Sequence, residues 1–128
     1  MKLRRIPLNF VTIHRNGTPS IFFPATAWMP CGNASEMRGT FELFGWMTDL
    51  EVAVGYQTAN VENSPDTAVA VGSFATANGM AFPTAFTSIA SNTEQKQIFR
   101  LGYIGKNTST SNQTFAYAGG YVDLLERD

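Results

Sequence analysis

Cysteine and histidine are nearly absent from this 128-residue chain, which has one of each, Cys31 and His14. A single cysteine excludes an intrachain disulfide. Small exported domains usually depend on such bridges, so folding in a reducing setting is expected. His14 has no Asp, Glu or Cys near it in sequence, which leaves no local acid–base pair and no metal-ligand spacing. It reads as a polar residue at a strand end. Charge is scarce too: 15% of residues are charged and the formal net charge is -1. Such a chain lacks the field that draws a protein to nucleic acid. No apolar run is long enough to span a bilayer. Pro7 and Asn9 break the stretch that follows Lys2, Arg4 and Arg5, which argues against an export signal. The expectation is a soluble protein made in the cytoplasm that binds neither membrane nor nucleic acid.

What the chain does have is apolar and aromatic mass. Hydrophobic residues make up 44%, with 10 Phe, 4 Tyr and 2 Trp. A chain of this length buries roughly two-thirds of its unfolded surface, enough for one core without staples. One domain over residues 1–128 is expected, with residues 1–5 as a flexible basic arm.

Short β-rich runs punctuated by Gly, Pro, Asn and Ser repeat along the sequence, and about eight strands follow from them. The first covers Ile6 to Arg15 and stops at Asn16-Gly17-Thr18-Pro19, a strong turn. The second runs from Ser20 to Trp28, where Pro24 calls for an edge or a bend. A polar segment from Pro30 to Gly39 precedes strands at Thr40 to Thr48 and Leu50 to Ala59. In the latter, Val52, Val54 and Tyr56 oppose Glu51, Ala53 and Gln57, a one-sided pattern. In the former, Phe44 and Trp46 share a face with Glu42, so neither face is simply wet. Further strands are expected at Thr67 to Phe74 and, interrupted by Pro83, at Ala81 to Ala90. Gln97 to Lys106 and Gln113 to Leu125, joined by the polar loop 107–112, read as an antiparallel pair. No apolar stripe at helical spacing persists over 11 residues. The fold class is therefore all-β: a two-sheet antiparallel sandwich, jelly-roll-like, with little helix.

One internal echo stands out, Ala53 to Asn60 against Ala70 to Asn78. Two copies are too few for a solenoid. They read as two strands of similar composition leaving the same rim.

Catalytic motifs are not evident. The carboxylates are dispersed, and only Asp49 and Glu51, with Glu42 across a hairpin, suggest a pair of the kind glycosidases use. Outward charges on a hairpin explain the same residues. Cys31 lacks a neighbouring base to activate it. Phosphate loops, nucleophile elbows and zinc spacings do not occur. No catalytic residue, metal or cofactor is expected. Aromatics give the binding signal. Trp28, Trp46, Tyr56, Tyr103, Tyr117 and Tyr121 lie on expected strands, and the first four are taken as the contact surface, through which a strand face stacks on sugar rings or anchors a protein interface.

The C-terminal two-thirds carries a pattern of its own. Gly55-Tyr56-Gln57-Thr58-Ala59-Asn60 is followed by Gly72-Ser73, Thr76-Ala77-Asn78-Gly79 and Phe82-Pro83. Asn92-Thr93, Lys96-Gln97, Phe99-Arg100-Leu101-Gly102-Tyr103, Phe115-Ala116-Tyr117 and Tyr121-Val122-Asp123 complete it. Over residues 40–125 this resembles small β-sandwich virion proteins of tailed bacteriophages. The resemblance implies a virion structural or decoration protein, not an enzyme. Such a subunit self-associates into a homo-oligomer or docks on other virion proteins of a capsid or tail, and it needs no cofactor. The rival expectation is a carbohydrate-binding, lectin-like module using exposed aromatics on a glycan.

Overall fold

A computed structural model describes residues 1–110 and 112–128. Ser111, within the expected polar loop 107–112, lies outside the described residues. The elements run β1 (Lys2–Arg15), β2 (Ile21–Pro24), β3 (Met29–Pro30), β4 (Ala34–Phe44), β5 (Leu50–Ala59), β6 (Val69–Ala75), β7 (Gly79–Ala81), β8 (Thr87–Ser88), α1 (Ala90–Thr93), β9 (Ile98–Asn107) and β10 (Thr114–Glu126). They form two antiparallel sheets. Sheet A has the order β1-β10-β4-β7, with β8 also on β4. Sheet B has the order β2-β9-β5-β6, with β3 also on β9. The expected two-sheet antiparallel sandwich is the observed fold.

Pleat alternation builds the core. In sheet A, Ala116, Ala118, Val122 and Leu124 of β10 and Met37, Phe41 and Leu43 of β4 point inward. In sheet B, Leu50, Val52, Val54 and Tyr56 of β5 and Phe99, Leu101 and Tyr103 of β9 face them. The rings of Phe41 and Tyr103 meet edge-on across the gap, with centroids 5.8 Å apart. Full burial of each such apolar side chain is worth about 1.5–3 kcal/mol. This inner layer is what joins the sheets.

Prolines sit where a missing N–H does no harm. Pro7 lies in β1 and Pro24 ends β2, and both strands are sheet edges. Three expectations change. The ladder of β1 begins at Lys2, which pairs with Glu126, so Lys2, Arg4 and Arg5 are strand residues and not an arm. The polar segment from Pro30 to Gly39 already contains the first half of β4, because its small and polar residues still satisfy a central ladder. The run from Ala81 to Ala90 holds only the last residue of β7, the two-residue β8 and the first residue of the four-residue α1.

Connectivity differs more. Strands β9 and β10 were expected to pair, yet they belong to opposite sheets, as do β4 and β5. Their loops span the gap between layers and do not reverse within one sheet. The hairpin at β5 and β6 pairs Gly55 with Ala70 and Tyr56 with Val69. The two similar runs are thus antiparallel neighbours, and their ends leave at opposite rims.

One irregularity has a large effect. In the β1–β10 ladder Leu8 pairs with Gly120, but the next pair is Val11 with Ala118. Asn9 and Phe10 therefore stand opposite Gly119 alone, a β-bulge. Side-chain parity reverses there. Leu8 points in, as Ile13 does further on, while Phe10 is turned out of the core.

At the other end of sheet A, Asp123 is buried on the outer face. Its carboxylate accepts from Arg5 Nε at 2.9 Å and from Arg38 Nη2 at 3.1 Å. Arg5 also covers the Tyr121 ring, and Arg38 covers Phe86 while donating to the Thr84 carbonyl. The hydrogen bond from Arg5, joined by that from Arg38, holds the Asp123 carboxyl below its usual pKa. A lowered folded value adds stability above the unfolded pKa of about 3.9, and that stability is lost as pH falls through the folded value. Urea unfolding between neutral and acid pH should therefore show wild-type stability falling below about pH 4. Asp123→Asn should lose about 1–2 kcal/mol near neutral pH and show a shallower acid slope.

Candidate functional site

Burial sorts the aromatic residues proposed from sequence. Tyr56 and Tyr103 are both buried, 2% and 0% exposed, so they are core residues and not a contact surface. The physical reason is parity: each alternates with outward residues, Tyr56 with Gln57 and Tyr103 with Arg100 two pleats away. Burial pushes both phenols up in pKa. Tyr56 accepts a hydrogen bond from Asn92 Nδ2 at 2.7 Å, whereas the Tyr103 hydroxyl has no hydrogen-bond partner among the described residues. Trp46 is half-buried and works as a strut. Its indole N–H donates to the Leu50 carbonyl at 2.8 Å, and its backbone N–H donates to Asn78 Oδ1 at 2.9 Å. Trp28 is half-buried on the outer face of sheet B, with the Arg100 guanidinium 4.5 Å above its ring.

The exposed aromatic surface lies elsewhere, on the outer face of sheet A. Phe10 is 73% exposed, Tyr117 41%, Phe44 40% and Phe115 38%. The bulge delivers Phe10 from β1, and its ring lies flat over Gly119. A Cβ at Gly119 would come within 2.6 Å of that ring, so only glycine leaves room. Phe44 of β4 pairs in register with Tyr117 of β10, and the two rings stack with centroids 5.4 Å apart. Phe10 meets Phe44 edge-on at 5.7 Å, and Phe115 meets Tyr117 edge-on at 6.1 Å. Four rings from three strands make one continuous apolar patch, and Met80 of the neighbouring β7 is exposed on the same face. Patches of this kind mark contact sites more often than bare surface.

Sequence reasoning passed over Phe10, Phe44 and Phe115. For Phe44 a signal existed, since it alternates onto the same face as Glu42. For Phe115 and Tyr117 the alternation with Ala116 and Ala118 was visible. The alternation alone leaves open which set turns inward, and the structure buries the alanines.

The residues considered for chemistry are dispersed. Glu42 is on the exterior of sheet A, whereas Glu51 is on β5 of sheet B beside Lys106. The hairpin that would have joined them does not form. Asp49 takes a left-handed backbone, φ 71°, and accepts from Asn112 Nδ2 and the Thr108 hydroxyl. His14 is exposed on β1, while Cys31 is buried and its thiol is pushed up in pKa by that burial. Among the described residues, no three or more His, Cys, Asp or Glu side chains are grouped to hold a metal ion.

No protein-family model and no curated protein matches the sequence. By shape, the chain is similar to structures of infectious bursal disease virus. The Gx-strain structure shares 11% identity at a TM-score of 0.61, over 98% of this chain and 32% of that one. The Gt-strain structure shares 11% identity at a TM-score of 0.57, over 96% and 32%. The VP2 subviral particle of the same virus shares 10% identity at a TM-score of 0.50, over 98% and 33%. The chain thus spans about a third of the length of these viral chains. At such identity the likeness establishes the fold.

The two buried tyrosines should respond oppositely to loss of the hydroxyl. Tyr103→Phe should leave stability unchanged or raise it by up to about 1–2 kcal/mol, because an unpaired polar atom leaves the core. Tyr56→Phe should cost about 1 kcal/mol, because Asn92 loses its partner. Denaturant unfolding of the two variants beside wild type checks both signs.

Proposed function

We propose that the chain is a non-catalytic virion structural protein that self-associates through the outer face of sheet A. The observation that carries this reading is the four-ring aromatic patch left open on a sandwich whose fold recurs in virus structures. The strand order supports it. The order β1-β10-β4-β7 in one sheet against β2-β9-β5-β6 in the other fits our reading of the sandwich as jelly-roll-like, an architecture used in viral capsid domains. The tailed-phage assignment rests on the resemblance over residues 40–125, and docking on a capsid or tail follows from it.

Assembly at this face is chemically reasonable. Aromatic residues are enriched at interface centres, and their burial dominates binding energy. The net charge of -1 puts little long-range repulsion between copies. Two edge strands are short, β7 at three residues and β2 at four with Pro24 at its end, and the long edge strand β1 is interrupted by a bulge. That favours face-to-face contact over edge-to-edge strand addition.

Sedimentation velocity across a concentration series tests the proposal. Wild type should grow into a defined oligomer, and a Phe10→Ser/Tyr117→Ser variant with an unchanged circular dichroism spectrum should associate at least about tenfold more weakly. A wild type that stays strictly monomeric at high concentration contradicts it.

A further inference from the structure

The outer face of sheet B carries a different kind of surface. Between β2 and the entry to β6 lies a cleft of about 230 Å³, lined by Ser20, Phe22, Gln57, Thr67 and Ile104 among others. It is smaller than the roughly 300–1,000 Å³ of drug-sized sites, which suits a single ring. One wall is aromatic and aliphatic; the rest offers two hydroxyls and an amide. The Phe22 ring lies over Gly102, where any Cβ would strike the Phe23 carbonyl, so the chain keeps this ring flat against the sheet.

Arg100 adjoins two residues of the cleft lining, Gln57 and Phe22. Its Nε donates to Gln57 Oε1 at 2.9 Å, and its guanidinium lies 4.5 Å from the Trp28 ring and 5.6 Å from the Phe22 ring. The two rings and the amide fix the orientation of the fork. No ion pair among the described residues involves Arg100. Its terminal nitrogens have no hydrogen bond to a described residue, so the edge that grips carboxylates bidentately is free. Lys106, the next cation on this face of β9, lies over Phe74 at 4.4 Å.

We propose that this cleft binds a carboxylate-bearing sugar. Arg100 takes the carboxylate, Phe22 and Ile104 face the apolar side of the ring, and Gln57, Thr67 and Ser20 meet its hydroxyls. The site is on the sheet opposite the aromatic patch, and it stands or falls independently of assembly.

Two-dimensional NMR of the full chain, titrated with glucuronic acid, glucose or a short glutamate-containing peptide, tests the assignment. Glucuronic acid should shift the Arg100 Nε–H and Gln57 side-chain amide signals saturably, while glucose and the peptide bind at least tenfold more weakly. Arg100→Gln should reduce glucuronic acid affinity at least tenfold. Gln57→Glu supplies an internal carboxylate to the same guanidinium and should block binding without removing Arg100. The proposal is overturned by absence of saturable shifts in wild type, by equal binding of the peptide or of glucose, or by full affinity in the folded Gln57→Glu variant.

Discussion

Everything exposed on this protein follows from the parity of the pleat, and the two-for-one bulge in β1 is where that parity is reset. Ahead of the bulge Leu8 enters the core; beyond it Ile13 does. A regular β1 would carry Phe10 inward behind Leu8 and turn Ile13 to solvent. The inserted residue lets both ends of a long edge strand contribute to one core, and it places a phenylalanine on the outside. Gly119 beneath that ring completes the arrangement. The aromatic patch is a consequence of how the core is closed.

Much of the architecture was legible in the sequence. Turn chemistry at Asn16-Gly17-Thr18-Pro19 ended β1 where predicted, and β5 runs over Leu50 to Ala59 as the alternation of Val52, Val54 and Tyr56 requires. What could not be read was which strands pair. Hydrogen-bond partners are chosen by the route of the loops, and a polar linker looks the same whether it reverses within a sheet or crosses to the other. Hence β9 and β10, neighbours in sequence, pack in different layers.

The site was less legible, for two separate reasons. Tyr56 and Tyr103 were nominated for aromatic character, although their own alternation with Gln57 and Arg100 pointed them inward. Phe115 was passed over and Tyr117 was named without its face being fixed, because alternation with Ala116 and Ala118 does not say which set turns inward. Here Ala116 and Ala118 are buried and the rings are not. Phe10 could not have been placed at all without the bulge, which no local motif announces.

The two outer faces divide the remaining surface by chemistry. Sheet A offers rings clear of bound cations at one end and a satisfied cluster of Arg5, Arg38 and Asp123 at the other. Sheet B offers, beside a small cleft, a guanidinium with no ion pair among the described residues. The central claim is that the four rings of sheet A are a buried interface in the working assembly. Hydroxyl-radical footprinting read by mass spectrometry, in dilute and concentrated solution, measures it most directly. Phe10, Phe44, Phe115 and Tyr117 should be labelled together when dilute and become protected together as the assembly forms. Persistent labelling of those rings in a sample that has fully assembled would contradict the account.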